Sequence, residues 1–123
     1  MSVLVVEDEA IVADDLRRKL EKIGYTVVGI ASSGLEAIRK TEQSAPDLVL
    51  MDVRLKGEMT GWEAASQIRS RRDIPIVFLT AYPGLLKEGV HPGMIYRYLS
   101  KPYSWAQLKG VLDEISNRSG EAI

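Results

Sequence analysis

The sequence predicts an α/β fold, a three-layer α/β/α sandwich on a five-stranded parallel sheet, and three observations carry that prediction. Short apolar runs recur five times along the 123 residues, each followed by a segment with turn or helical character. A repeat of roughly 20 to 27 residues suits right-handed βαβ crossovers, which make neighbouring strands parallel. The run Leu48-Val49-Leu50-Met51 is unbroken, the pattern of a strand covered on both faces, and it ends at Asp52 in a loop holding Arg54, Lys56, Gly57, Glu58, Thr60 and Gly61.

Val3-Leu4-Val5-Val6 is a β-branched run closed by three acids, Glu7, Asp8 and Glu9. From Ala10 onwards, Val12 or Ala13, Leu16, Leu20 and Ile23 recur at helical spacing. Asp14 and Asp15 lie early in that helix, and Arg17, Arg18, Lys19 and Lys22 lie late, which suits the helix dipole. Gly24 stands where a helix commonly ends on glycine. Residues 26–31 form the second strand. Ser33 and Glu36 match a capping box, opening a helix through Ala37, Ile38 and Thr41 that stops before Pro46.

The third strand covers residues 47–53. Thr60 and Glu63 form a second capping box, with Trp62, Ala65 and Ile68 as the inner stripe before the basic cluster Arg69, Arg71 and Arg72. Residues 74–79 form the fourth strand, with Pro75 tolerable near its start. Beyond Tyr82, Pro83 and Gly84 only a turn or two of helix fits before Gly89, His91, Pro92 and Gly93, so the fourth helix is expected to be short or irregular. Residues 94–99 form the fifth strand. Ser104 and Gln107 cap a last helix with Leu108, Val111, Leu112 and Ile115 inward, weakened a little by Gly110.

The length suits one domain, expected over residues 1–118 with a flexible tail at 119–123, able to bury roughly two thirds of its unfolded surface. The absence of cysteine excludes disulfides, cysteine zinc sites and thiol nucleophiles. With 16 basic and 17 acidic residues, the chain has no general electrostatic attraction to nucleic acid or to an anionic membrane. No apolar run has transmembrane length and no signal-peptide layout opens the chain, so a cytoplasmic protein is expected.

In such a sheet every strand's carboxyl end lies on one edge, where ligands bind. That edge collects Glu7, Asp8 and Glu9, then Asp52, Thr80 and Lys101. Converging carboxylates repel, so a hard divalent cation such as Mg2+, which takes oxygen ligands, would relieve them. A lysine and a hydroxyl facing the same spot complement an anion with three equatorial oxygens. A nucleophile, a metal and positioned positive groups are most of what phosphoryl transfer needs.

Glu7-Asp8, Asp52, Thr80-Ala81 and Lys101-Pro102, in that order at strand ends, resemble the signature of the receiver domain of two-component response regulators, the CheY-like family. The resemblance covers Val3 to about Ile115 and implies the flavodoxin-like (βα)5 strand order 2-1-3-4-5. It implies that Asp52 is the phosphorylated nucleophile, taking a phosphoryl group from a phosphohistidine on a sensor histidine kinase or phosphotransfer protein. Asp8 and Asp52 would bind Mg2+, with Glu7 acting directly or through water and the main-chain carbonyl of Arg54 adding a ligand. Lys101 would pair with phosphoryl oxygens, its bond to Pro102 being cis as in the family. Thr80 would swing onto the phosphoryl group and Tyr98 would turn inward as the switch aromatic, with Tyr96 its competitor. Arg54 and Tyr82, two residues beyond Asp52 and Thr80, would tune dephosphorylation.

Such a protein is a signalling switch that catalyses only its own phosphorylation and dephosphorylation. Its output passes to a downstream protein or a fused output domain, without direct contact to nucleic acid or membrane, and a weak homodimer is a further expectation. Two departures stand out: Lys56 replaces the proline usual in the loop after Asp52, with about one residue added near Glu58, and the breakers between residues 83 and 93 put a dimer through the fourth helix in doubt. Three alternatives compete. A degenerate receiver would be a binding module. A Mg2+-dependent phosphohydrolase would want an Asp where Arg54 stands. A flavodoxin-like carrier would want a Gly-, Ser- and Thr-rich loop after the first strand. Glu9, the Arg69–Arg72 cluster and His91 are expected to be solvated, and Trp62 and Trp105 to be lids on the core.

Overall fold

The computed structural model describes the backbone of residues 1–80 and 97–121; at Thr80 and beyond residue 116 only the backbone is described. Among these residues the elements run β1 (Ser2–Val6), α1 (Ala10–Lys22), β2 (Thr26–Ala31), α2 (Gly34–Ser44), β3 (Leu48–Asp52), α3 (Gly61–Arg71), β4 (Ile76–Thr80), β5 (Arg97–Ser100) and α4 (Trp105–Glu121). All strand pairs are parallel, in the order β2-β1-β3-β4-β5. This is the flavodoxin-like arrangement expected. The helix predicted between the fourth and fifth strands falls within residues 81–96, outside the described residues, as do Tyr82, His91 and Tyr96. The last helix continues to Glu121, beyond the domain boundary expected at 118.

Strand alternation sorts the core into two layers. Leu4, Val6, Val49, Met51, Ile76 and Phe78 are buried beneath α2 and α3 with Ala37, Ala64, Ala65 and Ile68. Val3, Val5, Leu48, Leu50, Val77 and Leu79 are buried beneath α1 and α4 with Leu16, Leu20, Leu108, Leu112 and Ile115. Each fully buried Leu, Ile or Phe contributes about 1.5–3 kcal/mol of transfer free energy, so helices on both faces are what make a parallel sheet of this composition stable. Trp62 lies partly buried on the first layer, its ring centroid 4.5 Å from that of Phe78, and Trp105 on the second.

The caps show where local pattern holds. Thr60 and Glu63 make the full reciprocal box at α3, and Ser104 and Gln107 do the same at α4. At α2 only half forms: Ser33 Oγ accepts from the Glu36 amide, while the Glu36 carboxylate turns to Lys40 and Ser32. A charged partner one turn along outcompetes the backbone amide for that carboxylate. Gly24 follows α1 with φ +94°, as its place predicts. β4 starts at Ile76, two residues later than expected, because Pro75 has no N–H to donate; its carbonyl still accepts from the Val49 amide at 3.0 Å. Arg69 and Arg71 are tied to the Ile74 carbonyl, Asp73 and Glu42.

Candidate functional site

Glu7, Asp52 and Lys101 each follow a residue of the α1/α4 layer by two positions, namely Val5, Leu50 and Leu99. Period-two alternation therefore puts all three on the same side of the carboxyl edge. The register completes the convergence. Val6 lies beside Met51, Asp52 beside Leu79, and Thr80 beside Ser100, so adjacent strands deliver their ends to one place.

There, one carboxylate oxygen each from Glu7, Asp8 and Asp52 lies within 4.8 Å of the others. Asp52 is held at both oxygens: Oδ1 accepts from the Arg54 amide at 3.1 Å and Oδ2 accepts from Lys101 Nζ at 2.9 Å. Lys101 Nζ also stands 3.7 Å from Glu7 Oε2, an ion-pair distance too long for a hydrogen bond. Glu7 Oε1 accepts from the Glu9 amide at 3.1 Å, and Glu7 Oε2 is a buried oxygen without a hydrogen-bond partner. Glu9 itself is exposed, as expected. The Lys101–Pro102 peptide is cis.

Burial dominates the electrostatics. Glu7 is only 2 % exposed, and burial, followed by the Asp52 carboxylate beside it, pushes its carboxyl from the ordinary 4.5 up to about 8. Burial alone would pull the Lys101 ammonium down, but the hydrogen bond to Asp52 and the charges of Asp52 and Glu7 outweigh it and hold its pKa above the ordinary lysine value. The edge is thus a pocket of excess negative charge with a single described ammonium directed into it. An orphaned carboxylate oxygen among three clustered carboxylates is a donor set suited to a hard divalent cation.

The other predicted site residues are placed unevenly. Arg54 gives its amide to Asp52 while its side chain is exposed. Tyr98 is 52 % exposed, on the strand face opposite Leu99. Thr80 ends β4 next to the site, its side chain lying outside the described atoms, and Tyr82 is outside the described residues altogether. One residue beside β3 had no role assigned from the sequence. Gly61, placed by the sequence in the loop after Asp52, instead opens α3 and donates its amide to the Val53 carbonyl at 2.9 Å.

Comparison with known proteins agrees with this geometry. The family model described as the response regulator receiver domain matches residues 3–113. The transcriptional regulatory protein PdtaR of Mycobacterium tuberculosis is 43% identical over 107 residues, covering 86% of this chain and 52% of the relative. The response regulator PhyR of Brucella abortus superposes with a TM-score of 0.87 at 29% identity, over 98% of this chain and 49% of that one. The receiver domain of the sensor histidine kinase PA1611 of Pseudomonas aeruginosa, solved with a magnesium ion in its active-site cleft, gives 0.83 at 31% identity, over 94% and 97%. The chain spans about half the length of the curated relatives it matches first. No described helix is long and apolar enough to cross a membrane. With the family model covering most of the chain and the sheet order and acidic edge alike, this chain belongs to the response regulator receiver domains, the CheY-like family.

Proposed function

We propose that Asp52 accepts a phosphoryl group in a Mg2+-dependent reaction, from a phosphohistidine on a sensor histidine kinase or phosphotransfer protein. The observation that carries this reading is the joint placement of Glu7, Asp8 and Asp52 within 4.8 Å, with Lys101 Nζ at 2.9 Å from the acceptor carboxylate. A carboxylate oxygen of Asp52 attacks phosphorus, the donor's P–N bond breaks, and its electron pair stays on the imidazole, which takes up a proton. Asp8 and Asp52, with Glu7 and the Arg54 carbonyl, would hold Mg2+, which supplies charge neutralisation for the transferred group. Lys101 exchanges its hydrogen bond from Asp52 Oδ2 to a phosphoryl oxygen.

Residues 1–118 make up the receiver unit in this reading, acting in the cytoplasm. Thr80 and Tyr98 are the switch. Thr80 binds the phosphoryl group and Tyr98, exposed in this structure, turns inward, shifting the population of a protein-interaction surface on β5 and α4. Arg54 and Tyr82 shield the acyl phosphate from water. The output is a protein contact or an appended output domain.

Intact mass after incubation with acetyl phosphate tests the chemistry. A single phosphoryl adduct is expected that requires Mg2+ and disappears in Asp52→Asn. Normal uptake by that variant would sink the assignment.

A further inference from the structure

We propose that Gly61 is a positioning residue for phosphoryl transfer. Because it has no side chain, the first turn of α3 can lie against the main chain that carries Asp52. The inference rests on the reading of Asp52 as the acceptor. A β-carbon at residue 61 would stand 2.4 Å from the Asp52 carbonyl oxygen, 2.9 Å from Val53 Cα and 3.2 Å from the Asp52 carbonyl carbon. The obstacle is backbone, so no rotamer change relieves it. The requirement is for space and not for a left-handed conformation, since Gly61 is not among the glycines of positive φ.

Neither side of this contact is free to yield. Asp52 ends a central strand, with β1 on one side and β4 on the other. α3 is anchored by buried Ala64, Ala65 and Ile68 and by Trp62 against Phe78. The intervening loop is pinned to the start of α2: Ser33 bridges to Lys56, and the Met59 side chain fills the space over Gly34, where a β-carbon would meet its Sδ at 2.8 Å. Any side chain at 61 must therefore displace the Asp52–Val53 peptide by about 1 Å to reach ordinary contact. The two hydrogen bonds that aim the Asp52 carboxylate, at 2.9 and 3.1 Å, tolerate a few tenths of an ångström before they weaken. A misplacement of about 1 Å at a reacting group can cost about 100-fold in rate.

The test compares wild type, Gly61→Ala and Ile68→Val, the last loosening α3 without touching Asp52, in phosphorylation by acetyl phosphate at saturating Mg2+. Mg2+ affinity is read separately from tryptophan fluorescence. Gly61→Ala is expected to lose about 10- to 100-fold in maximal rate and to bind Mg2+ more weakly, whereas Ile68→Val keeps both while its melting temperature falls. Equal rates and Mg2+ affinities for wild type and Gly61→Ala overturn the proposal. If wild type itself takes up no phosphoryl group, the reading of Asp52 fails instead. Should Gly61→Ala not fold, amide exchange in wild type decides. Protection of the Gly61 amide comparable to that of Met51 supports the closure, and exchange at open-loop rates overturns it.

Discussion

Replacing Lys101 by methionine keeps an unbranched side chain of similar reach and removes the only described ammonium at the acidic edge. In the folded protein Lys101 Nζ lies 2.9 Å from Asp52 Oδ2 and 3.7 Å from Glu7 Oε2. At an effective dielectric of about 20 these are gross attractions of about 6 and about 4 kcal/mol. Desolvation of three groups offsets most of that, and the lysine side chain keeps 31% of its exposure, so screening takes a further share. The expected net loss on Lys101→Met is about 2–3 kcal/mol near pH 8 without Mg2+. For a urea m-value of about 1.5 kcal/mol/M, that moves the unfolding midpoint by about 1–2 M. At pH 6, where the Glu7 carboxyl holds its proton, the Glu7 share vanishes and the gap between the two proteins narrows. Millimolar Mg2+ should restore more stability to the variant than it adds to wild type, because it supplies the missing positive charge. Coincident urea midpoints at pH 8, with equal m-values, would refute this account of the edge.

Other consequences are measurable by denaturation. The Glu7 carboxyl titrates at about 8 folded against an ordinary 4.5, so its protonation favours the fold fully below about pH 4.5 and that contribution is lost as pH rises through 8. Wild type without Mg2+ should therefore lose stability relative to Glu7→Gln across that window, and a flat difference between them would contradict it. Leu50→Ala, in the centre of the sheet with no exposure, should cost about 2–5 kcal/mol by urea unfolding. Gly110→Ala, on an exposed helical position with open space where a β-carbon would stand, should raise stability by about 0.5–1 kcal/mol and leave phosphorylation unchanged.

The site was legible to the extent that it follows from counting along strands. Val5 to Glu7, Leu50 to Asp52 and Leu99 to Lys101 are each two steps, and the unbroken apolar runs identify the strands whose ends they extend. Where a side chain had a choice of partners, local pattern was insufficient. Glu36 matched a capping box, yet Lys40 and Ser32 took its carboxylate. Arg69 and Arg71 read as a solvated basic helix end, yet Arg69 folds back on the Ile74 carbonyl and Asp73 just beyond α3, and Arg71 reaches Glu42 where α3 packs beside α2. Gly61 gave no sign of its contact with Asp52, because the two meet only once the loop between them closes.

The sequence by itself determined the order of elements, their two buried faces and the list of groups at the carboxyl edge, since all of these follow from periodicity and the handedness of βαβ crossovers. Only the tertiary structure decided what that list does. It buried Glu7 to 2 % exposure, left one of its oxygens without a hydrogen-bond partner, and set Lys101 on Asp52 at 2.9 Å. Charge interactions depend on separation and on access to water, and neither exists until sheet and helices have packed.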